Sequence, residues 1–288
     1  MQKIMVGVIG GSGLYAMEAL TNATEHQIDT PFGKPSDVIV TGQVNGVGVA
    51  VLARHGRGHR LIPSEVPYRA NIYALKTLGV RCLISLSAVG SLAEEMKPLD
   101  MVLPDQFIDM TKRRDSTFFG DGAVAHVSMA QPVCAGLSDV LARAVKAASM
   151  PSGFELHRGG TYVCIEGPQF SSLAESLWYR SMGAKIIGMT NMPEAKLAKE
   201  AQMAYATLAM VTDFDCWHPR EAHVTADTAI ANLMQNAGHA QRIAAAAIGL
   251  LAAEMPVSAA HTAMQASLVT QPDQMSPETR ERLRVILQ

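Results

Sequence analysis

The sequence predicts one α/β domain, a mixed, mostly parallel twisted sheet flanked by helices. Short apolar, β-rich runs alternate with helical stretches along the whole chain, the pattern that feeds a parallel sheet. The first such run meets a glycine-rich turn at once, Gly10-Gly11-Ser12-Gly13. The 288 residues are 48% hydrophobic, enough for a full core, and show no internal repeat, low-complexity tract or linker that would divide them.

Taken in order, Lys3 to Ile9 reads as a buried strand rather than a signal peptide, because it is short and has no cleavage site. Val38 to Val40 and Val47 to Leu52 are β-rich runs split by Gly42 to Gly46, a hairpin signal. Pro67 opens a helix to Leu78, with Ile72, Leu75 and Leu78 on one face and Gly79 as its stop. Val80 to Leu86 is a central strand ending in Ser87-Ala88-Val89-Gly90-Ser91, and Leu99 to Leu103 is another short one. Asp105 to Asp121 reads as a polar loop. Pro132 to Ser149 is helical, and Gly160 to Ile165 is a strand. Ser172 and Glu175 have capping-box spacing and start a helix to Met182. Lys185 to Met189 is a strand, Pro193 starts a long alanine-rich helix, and Tyr205 to Thr212 is strand-like. Asp227 to Glu254 is a long helix, Met255 to Asp273 is irregular, and Glu278 to Leu287 is a last helix capped at Ser276.

Twenty-four basic and 26 acidic residues without a long basic run argue against a nucleic-acid surface. No stretch approaches the roughly 18 apolar residues of a membrane span. Cys82, Cys134, Cys164 and Cys216 are widely spaced with no CxxC, which suits reduced thiols and a cytoplasmic location.

In sheets of this kind ligands bind at the carboxyl ends of strands, and the chemistry-bearing residues fall there. The glycine turn with Ser12 can cradle an anion, though alone it is no more than a strand-to-loop turn. Arg54 offers bidentate donors for phosphate, and His55 beside it another hydrogen bond, in a basic loop extended by His59 and Arg60. Ser87 and Ala88 add a hydroxyl and an N–H, so three strand ends carry phosphate-type donors. Asp213 and Asp215 alternate in a β-type run and so point to one side of the sheet. Two close carboxylates push their titrations apart, which suits an aminopurine with its N7 acceptor and 6-amino donor. Phe170 and Met189 are an aromatic wall and a turn residue, types that taken singly are more often core than ligand contacts; Glu166 reads as a loop-ordering carboxylate. His55 and His59 have HxxxH spacing, but Gly56 and Gly58 make it a loop with no third ligand, so no metal is expected.

At this point the chain resembles the 5′-methylthioadenosine phosphorylase family, within the trimeric purine nucleoside phosphorylases. The resemblance covers roughly residues 6 to 251. It rests on Gly10 to Tyr15, Arg54-His55-Gly56, Tyr68 to Asn71, Glu166 to Ser171, Met189-Thr190 with Pro193-Glu194, and Thr212 to Trp217. It implies phosphorolysis of methylthioadenosine to adenine and 5-methylthioribose 1-phosphate, in purine and methionine salvage. Phosphate is then a co-substrate, with no cofactor. It implies phosphate held by Ser12, Arg54, His55, Ser87 and Ala88. Phe170 would stack near the base, Met189 with Thr190 would meet the ribose, and Asp213 and Asp215 would bind adenine, with Asp213 as the acid. Ala226, Ala229 and Ile230 would line the 5′ pocket, with His126 reaching into a neighbouring subunit's pocket in a homotrimer or a pair of trimers. Residues 1–288 would form a single nucleoside phosphorylase domain, with 256–288 covering the 5′ pocket. Mammalian members of the family carry valine where this chain has Ala226 and Ala229, and the added room extends the expected range to 5′-deoxyadenosine. Mammalian members also carry asparagine in place of Gly188 and threonine in place of Ser87. The alternatives are a 6-oxopurine or methylthioinosine phosphorylase of the same fold, a catalytically silent nucleoside-binding protein and, on the glycine turn alone, a dinucleotide-dependent oxidoreductase.

Overall fold

The computed structural model describes residues 4–11, 17, 19–148, 154–219 and 226–288, with the backbone alone at residue 4 and at 226–230. Among the described residues eleven strands form one sheet: β1 (Ile4–Gly10), β2 (Thr21–His26), β3 (Ile39–Val44), β4 (Val47–Ala53), β5 (Cys82–Ser91), β6 (Met101–Leu103), β7 (Gln106–Asp109), β8 (Leu156–Arg158), β9 (Thr161–Cys164), β10 (Ala184–Gly188) and β11 (Ala204–Asp213). The β3–β4 hairpin turns on Asn45 and Gly46, with φ of 50° and 78°. That is the pair of left-handed residues a two-residue turn requires. Parallel pairing joins β1 to β4 and β5, β5 to β11, β6 to β8, and β9 to β7 and β10. The mixed, mostly parallel sheet is therefore as the sequence predicts.

β5 is the hub. Its first half lies between β1 and β11, in register from Val6–Cys82 to Gly10–Leu86 on one side and from Ala204–Cys82 on the other. At Gly90 and Ser91 it pairs antiparallel with β10. Between these two pairings, Ser87 to Val89 have no strand beside them on the β1 side among the described residues. The sheet forks there, and the fork makes room for a cavity.

Helices cover both faces. α1 (Tyr68–Thr77), α4 (Asn191–Glu200) and the C-terminal segment with α6 (Pro277–Leu283) pack on one, through Ile72, Leu75, Leu197, Leu283 and Ile286. α2 (Ala135–Ala147) and α5 (Ala226–Ala253) pack on the other, through Leu141, Val145, Ile243 and Ile248. α3 (Leu173–Ser181) starts with the capping box read from the sequence: the Ser172 hydroxyl accepts from the Glu175 N–H, and the Glu175 carboxylate accepts from the Ser172 N–H.

Three strands escape the sequence reading. β2 is polar and largely exposed, β7 lies inside the expected polar loop, and β8 has three residues. α4 is ten residues rather than long, and α6 ends at Leu283. The C-terminal segment lies at the amino ends of the central strands. His261 Nε2 contacts the Arg81 carbonyl at 3.1 Å, just before β5, and Gln202 Nε2, just before β11, donates to the Gln288 carbonyl at 2.9 Å. No helix among the described residues is long and apolar enough to cross a membrane.

Candidate active site

The fork opens into a cavity of about 330 Å³. Its lining includes Arg54 and His55 after β4, Ser87 to Gly90 of β5, Phe170, Gly188 to Thr190 after β10, and Asp213 and Asp215 after β11. Sites read from five separated stretches of sequence thus meet in one space. Ser12 lies outside the described residues, although Gly11 beside it lines the cavity. Of the Ala226, Ala229 and Ile230 side chains nothing is described. Leu233, Ala237 and Ala240 of the same helix line the cavity. His126 is exposed and not in its own chain's lining; its N–H donates to the Ser267 carbonyl at 2.8 Å.

Arg54 does not present an open guanidinium. It is 1% exposed and paired with fully buried Glu194, with Nε to Oε2 at 2.7 Å and Nη2 to Oε1 at 3.0 Å. Nη1 donates to the Leu86 carbonyl at 3.1 Å and Nη2 to Ser85 Oγ at 2.7 Å. Four of its five N–H groups are taken among the described residues, leaving one on Nη1. Burial alone would lower its pKa, but the Glu194 charge outweighs it and the group stays cationic. Glu194 Oε1 also accepts from Ser85 Oγ at 2.7 Å and Tyr205 OH at 2.9 Å. Asn191 Nδ2 closes the network on Thr207 Oγ1 at 2.6 Å.

His55 is buried, and its Nδ1 meets the Leu61 carbonyl at 2.9 Å, so Nδ1 carries the proton. Burial first, then the Arg54 charge, lower its pKa to about 4. The ring is neutral near pH 7, and Nε2 is an acceptor. This corrects the expectation of a second donor: His55 suits a ligand oxygen that still bears hydrogen. Its ring stacks on His59, with centroids 4.3 Å apart.

Asp213 and Asp215 reach the cavity, but not by strand alternation. β11 ends at Asp213, and Asp215 takes a left-handed φ of 53°. The turn brings the Asp215 N–H to Asp213 Oδ1 at 2.8 Å, and Thr212 Oγ1 lies 2.6 Å from Oδ2. Burial raises the pKa of Asp213 against these two hydrogen bonds. Burial raises that of Asp215 too, against the nearby Ser176 hydroxyl, and the charge of Asp213 adds to it. Asp215 Oδ2 is buried with no hydrogen-bond partner among the described residues. Gly90 is required here for space: a Cβ on it would lie 2.9 Å from Asp213 Oδ1.

Glu166 does order loops. Its carboxylate accepts from the Ser64 hydroxyl, the Lys112 N–H, the Arg113 N–H at 3.2 Å and Arg114 Nε at 3.3 Å. Burial would raise its pKa, but these contacts outweigh it and hold it at about 2. Arg114 escapes the sequence reading. Its side chain is buried and donates to the carbonyls of Glu166 at 2.7 Å, Met189 at 2.7 Å and Met192 at 2.6 Å, tying both walls of the cavity together. Nothing in the Asp/Arg/Phe-rich stretch around it distinguishes Arg114 from its neighbours. Glu194 was visible as a motif residue, but not as the partner of Arg54.

Comparison with known proteins bears on this cavity. The profile described as the phosphorylase superfamily matches residues 5–249. The S-methyl-5′-thioadenosine phosphorylase of Thermosynechococcus vestitus is 56% identical over 282 residues, covering 98% of this chain and 97% of the relative. That of Geobacter sulfurreducens is 50% identical over 98% of both. Among solved structures, a methylthioadenosine phosphorylase sourced from an antarctic soil metagenomic library is 63% identical over the whole of both chains, with a TM-score of 0.96. The Schistosoma mansoni methylthioadenosine phosphorylase in complex with adenine is 40% identical over 88% of this chain and 93% of that one, with a TM-score of 0.82.

Proposed function

The chain belongs to the phosphorylase superfamily, and from that premise we propose that it cleaves S-methyl-5′-thioadenosine with phosphate, releasing adenine and 5-methylthioribose 1-phosphate. It is a pentosyltransferase, and relatives of that activity at 50–56% identity over nearly the full chain support the reading. The observation that carries it is the carboxyl pair at the end of β11. Asp215 is buried and Asp213 half-buried, burial raises the pKa of each, and Asp215 Oδ2 is left without a partner among the described residues. A buried carboxyl kept protonated donates to N7, and a buried carboxyl oxygen lacking a donor takes one from the 6-amino group. A 6-oxopurine would put a second acceptor against that oxygen.

Phosphate is held at the fork by Arg54, His55, Ser87, the Ala88 backbone and Ser12, with Thr190 beside Ser87. The Arg54 charge is fixed in place by Glu194, and the neutral His55 accepts from a phosphate hydroxyl. As the glycosidic bond stretches, positive charge builds on the sugar and is stabilised by the phosphate, which attacks it. Asp213 protonates the leaving adenine at N7. Phe170, 47% exposed at the mouth, stacks on the base, and Met189 and Thr190 meet the ribose. The alkylthio group lies against Ala226, Ala229 and Ile230, on the helix that also supplies Leu233 and Ala237. Phosphate is the co-substrate, and the reading assigns no cofactor or metal.

The same reading makes the protein a cytoplasmic enzyme of purine and methionine salvage that works as a homotrimer. Support for the oligomer comes from the apolar surface beside the mouth. Phe170, Leu173, Leu177 and Trp178 are 47–52% exposed on and next to α3, and clustered exposed apolar side chains mark interaction surfaces. Neither His126 nor segment 256–288 lines this cavity in its own chain, so their role at the 5′ end is to reach a neighbour's. The test is to mix the protein with methylthioadenosine, with and without phosphate, and follow adenine by chromatography. Adenine only with phosphate is expected. Adenine without it makes the protein a hydrolase, and none in either case overturns the reading.

A further inference from the structure

We propose that Tyr162 is a positioning residue that aims the Ser87 hydroxyl at the bound phosphate, from a space that Gly188 keeps open. The inference rests on the phosphate site proposed above. Tyr162 lies in β9, is fully buried and does not line the cavity, so any action it has passes through other groups. Its phenol oxygen is 3.2 Å from Ser87 Oγ, which is 3.2 Å from Thr190 Oγ1. Ser87 and Thr190 both line the cavity; the phenol lies behind them.

Proton counting gives the role. Each hydroxyl has one proton and two lone pairs. Burial, the largest influence on the phenol, keeps it protonated, and its neighbours here are the Ser87 and Thr190 hydroxyls. It therefore donates into the cluster. A hydroxyl that receives this proton on a lone pair keeps its own proton for an anion in the cavity. Without the phenol, Ser87 retains a competing acceptor, the Ala88 carbonyl at 3.3 Å from its Oγ, and turns away from the phosphate.

Gly188 supports the assignment independently. Its φ is not in the positive range, so its backbone does not call for glycine. Space does: a Cβ there would lie 2.0 Å from the Tyr162 oxygen and 2.7 Å from the ring carbon that bears it. No other residue fits at 188 unless the phenol moves. Glycine at the end of β10 and tyrosine in β9 are one device.

The test is steady-state phosphorolysis by Tyr162→Phe, with phosphate varied at saturating methylthioadenosine and the reverse. Removing one neutral hydrogen bond should raise the phosphate KM about three- to tenfold while leaving the nucleoside KM near its original value. Gly188→Ala should raise the phosphate KM as well. The Gly188→Ala/Tyr162→Phe double variant should raise it no further than Gly188→Ala alone, because the hydroxyl is already displaced. If the glycine variants do not fold, the Tyr162→Phe split alone decides. An unchanged phosphate KM in Tyr162→Phe, or an equal rise in both KM values, overturns the inference while leaving the phosphorylase reading intact. Adenine release by the unmodified protein without phosphate overturns both.

Discussion

Replacing Glu194 by glutamine is the sharpest test of how the phosphate corner is built. The substitution keeps shape and volume and removes one charge. Glu194 Oε1 now accepts three hydrogen bonds and Oε2 one. An amide must place its NH₂ at one of these positions. The cheaper choice is Oε2, where it faces Arg54 Nε–H donor to donor. Oε1 keeps its three donors, but Arg54 becomes a buried cation without a counter-charge. Breaking a buried pair this way costs about 3–5 kcal/mol, against a total stability of roughly 5–15 kcal/mol. At about 2–4 °C per kcal/mol for a chain of this order of size, the midpoint of thermal unfolding should fall by about 6–20 °C. The guanidinium would also lose its fixed orientation, so the phosphate KM should rise at least about tenfold, while the nucleoside KM moves little. Scanning calorimetry and initial rates with phosphate varied read both effects. A variant that melts within about 2 °C of the original and keeps its phosphate KM would show that Glu194 neither balances nor orients Arg54.

Three further outcomes follow from the site. Asp213→Asn should lower kcat/KM for methylthioadenosine by about 10²–10⁴-fold through loss of the acid, and shift preference toward methylthioinosine; full activity on the adenine substrate would remove Asp213 from that role. Gly90→Ala should push the Asp213 carboxyl off its position and cost as much as about 100-fold in kcat/KM for the nucleoside, with the phosphate KM unchanged; equal losses for both substrates would count against a local effect. Glu166 has its pKa lowered in the folded protein from 4.5 to about 2. Its stabilising contribution is complete above pH 4.5 and lost as pH falls toward 2. Acid unfolding followed by circular dichroism should therefore be less steep across that window in Glu166→Gln, and an unaltered slope would dismiss the carboxylate as its source.

What the sequence revealed and what it hid divide by range. Capping at Ser172 and Glu175 depends on four consecutive residues and could be read directly. So could the hairpin, although its turn is Asn45-Gly46 and not the whole of Gly42 to Gly46, and the buried run of β5, whose side chains meet apolar neighbours on both faces. β2 could not, because five of its six residues are polar and its strand character comes from pairing with β3. At the cavity, residue types at strand ends were enough to name Arg54, His55, Ser87 and the two aspartates. Their states were not, because those come from partners far along the chain. Arg54 is 140 residues from Glu194, and Glu166 is 52 from Arg114. Asp215 reaches the cavity by a left-handed turn where alternation was expected, so that inference reached the right wall by the wrong geometry.

The hub position of β5 has a dynamic consequence. Amides of Cys82 to Leu86 sit between two parallel neighbours in the middle of the sheet, and local opening does not free them. Their exchange with solvent deuterium then requires unfolding of the whole sheet. The cavity is built on the other end of the same strand, so a ligand bound at Ser87 to Gly90 is lost in that unfolding. Phosphate with adenine at about 100 times the dissociation constant should slow exchange at Cys82 by roughly 100-fold, although Cys82 lies outside the cavity lining. Occupancy of the site is thereby written into the lifetime of the strand that carries it.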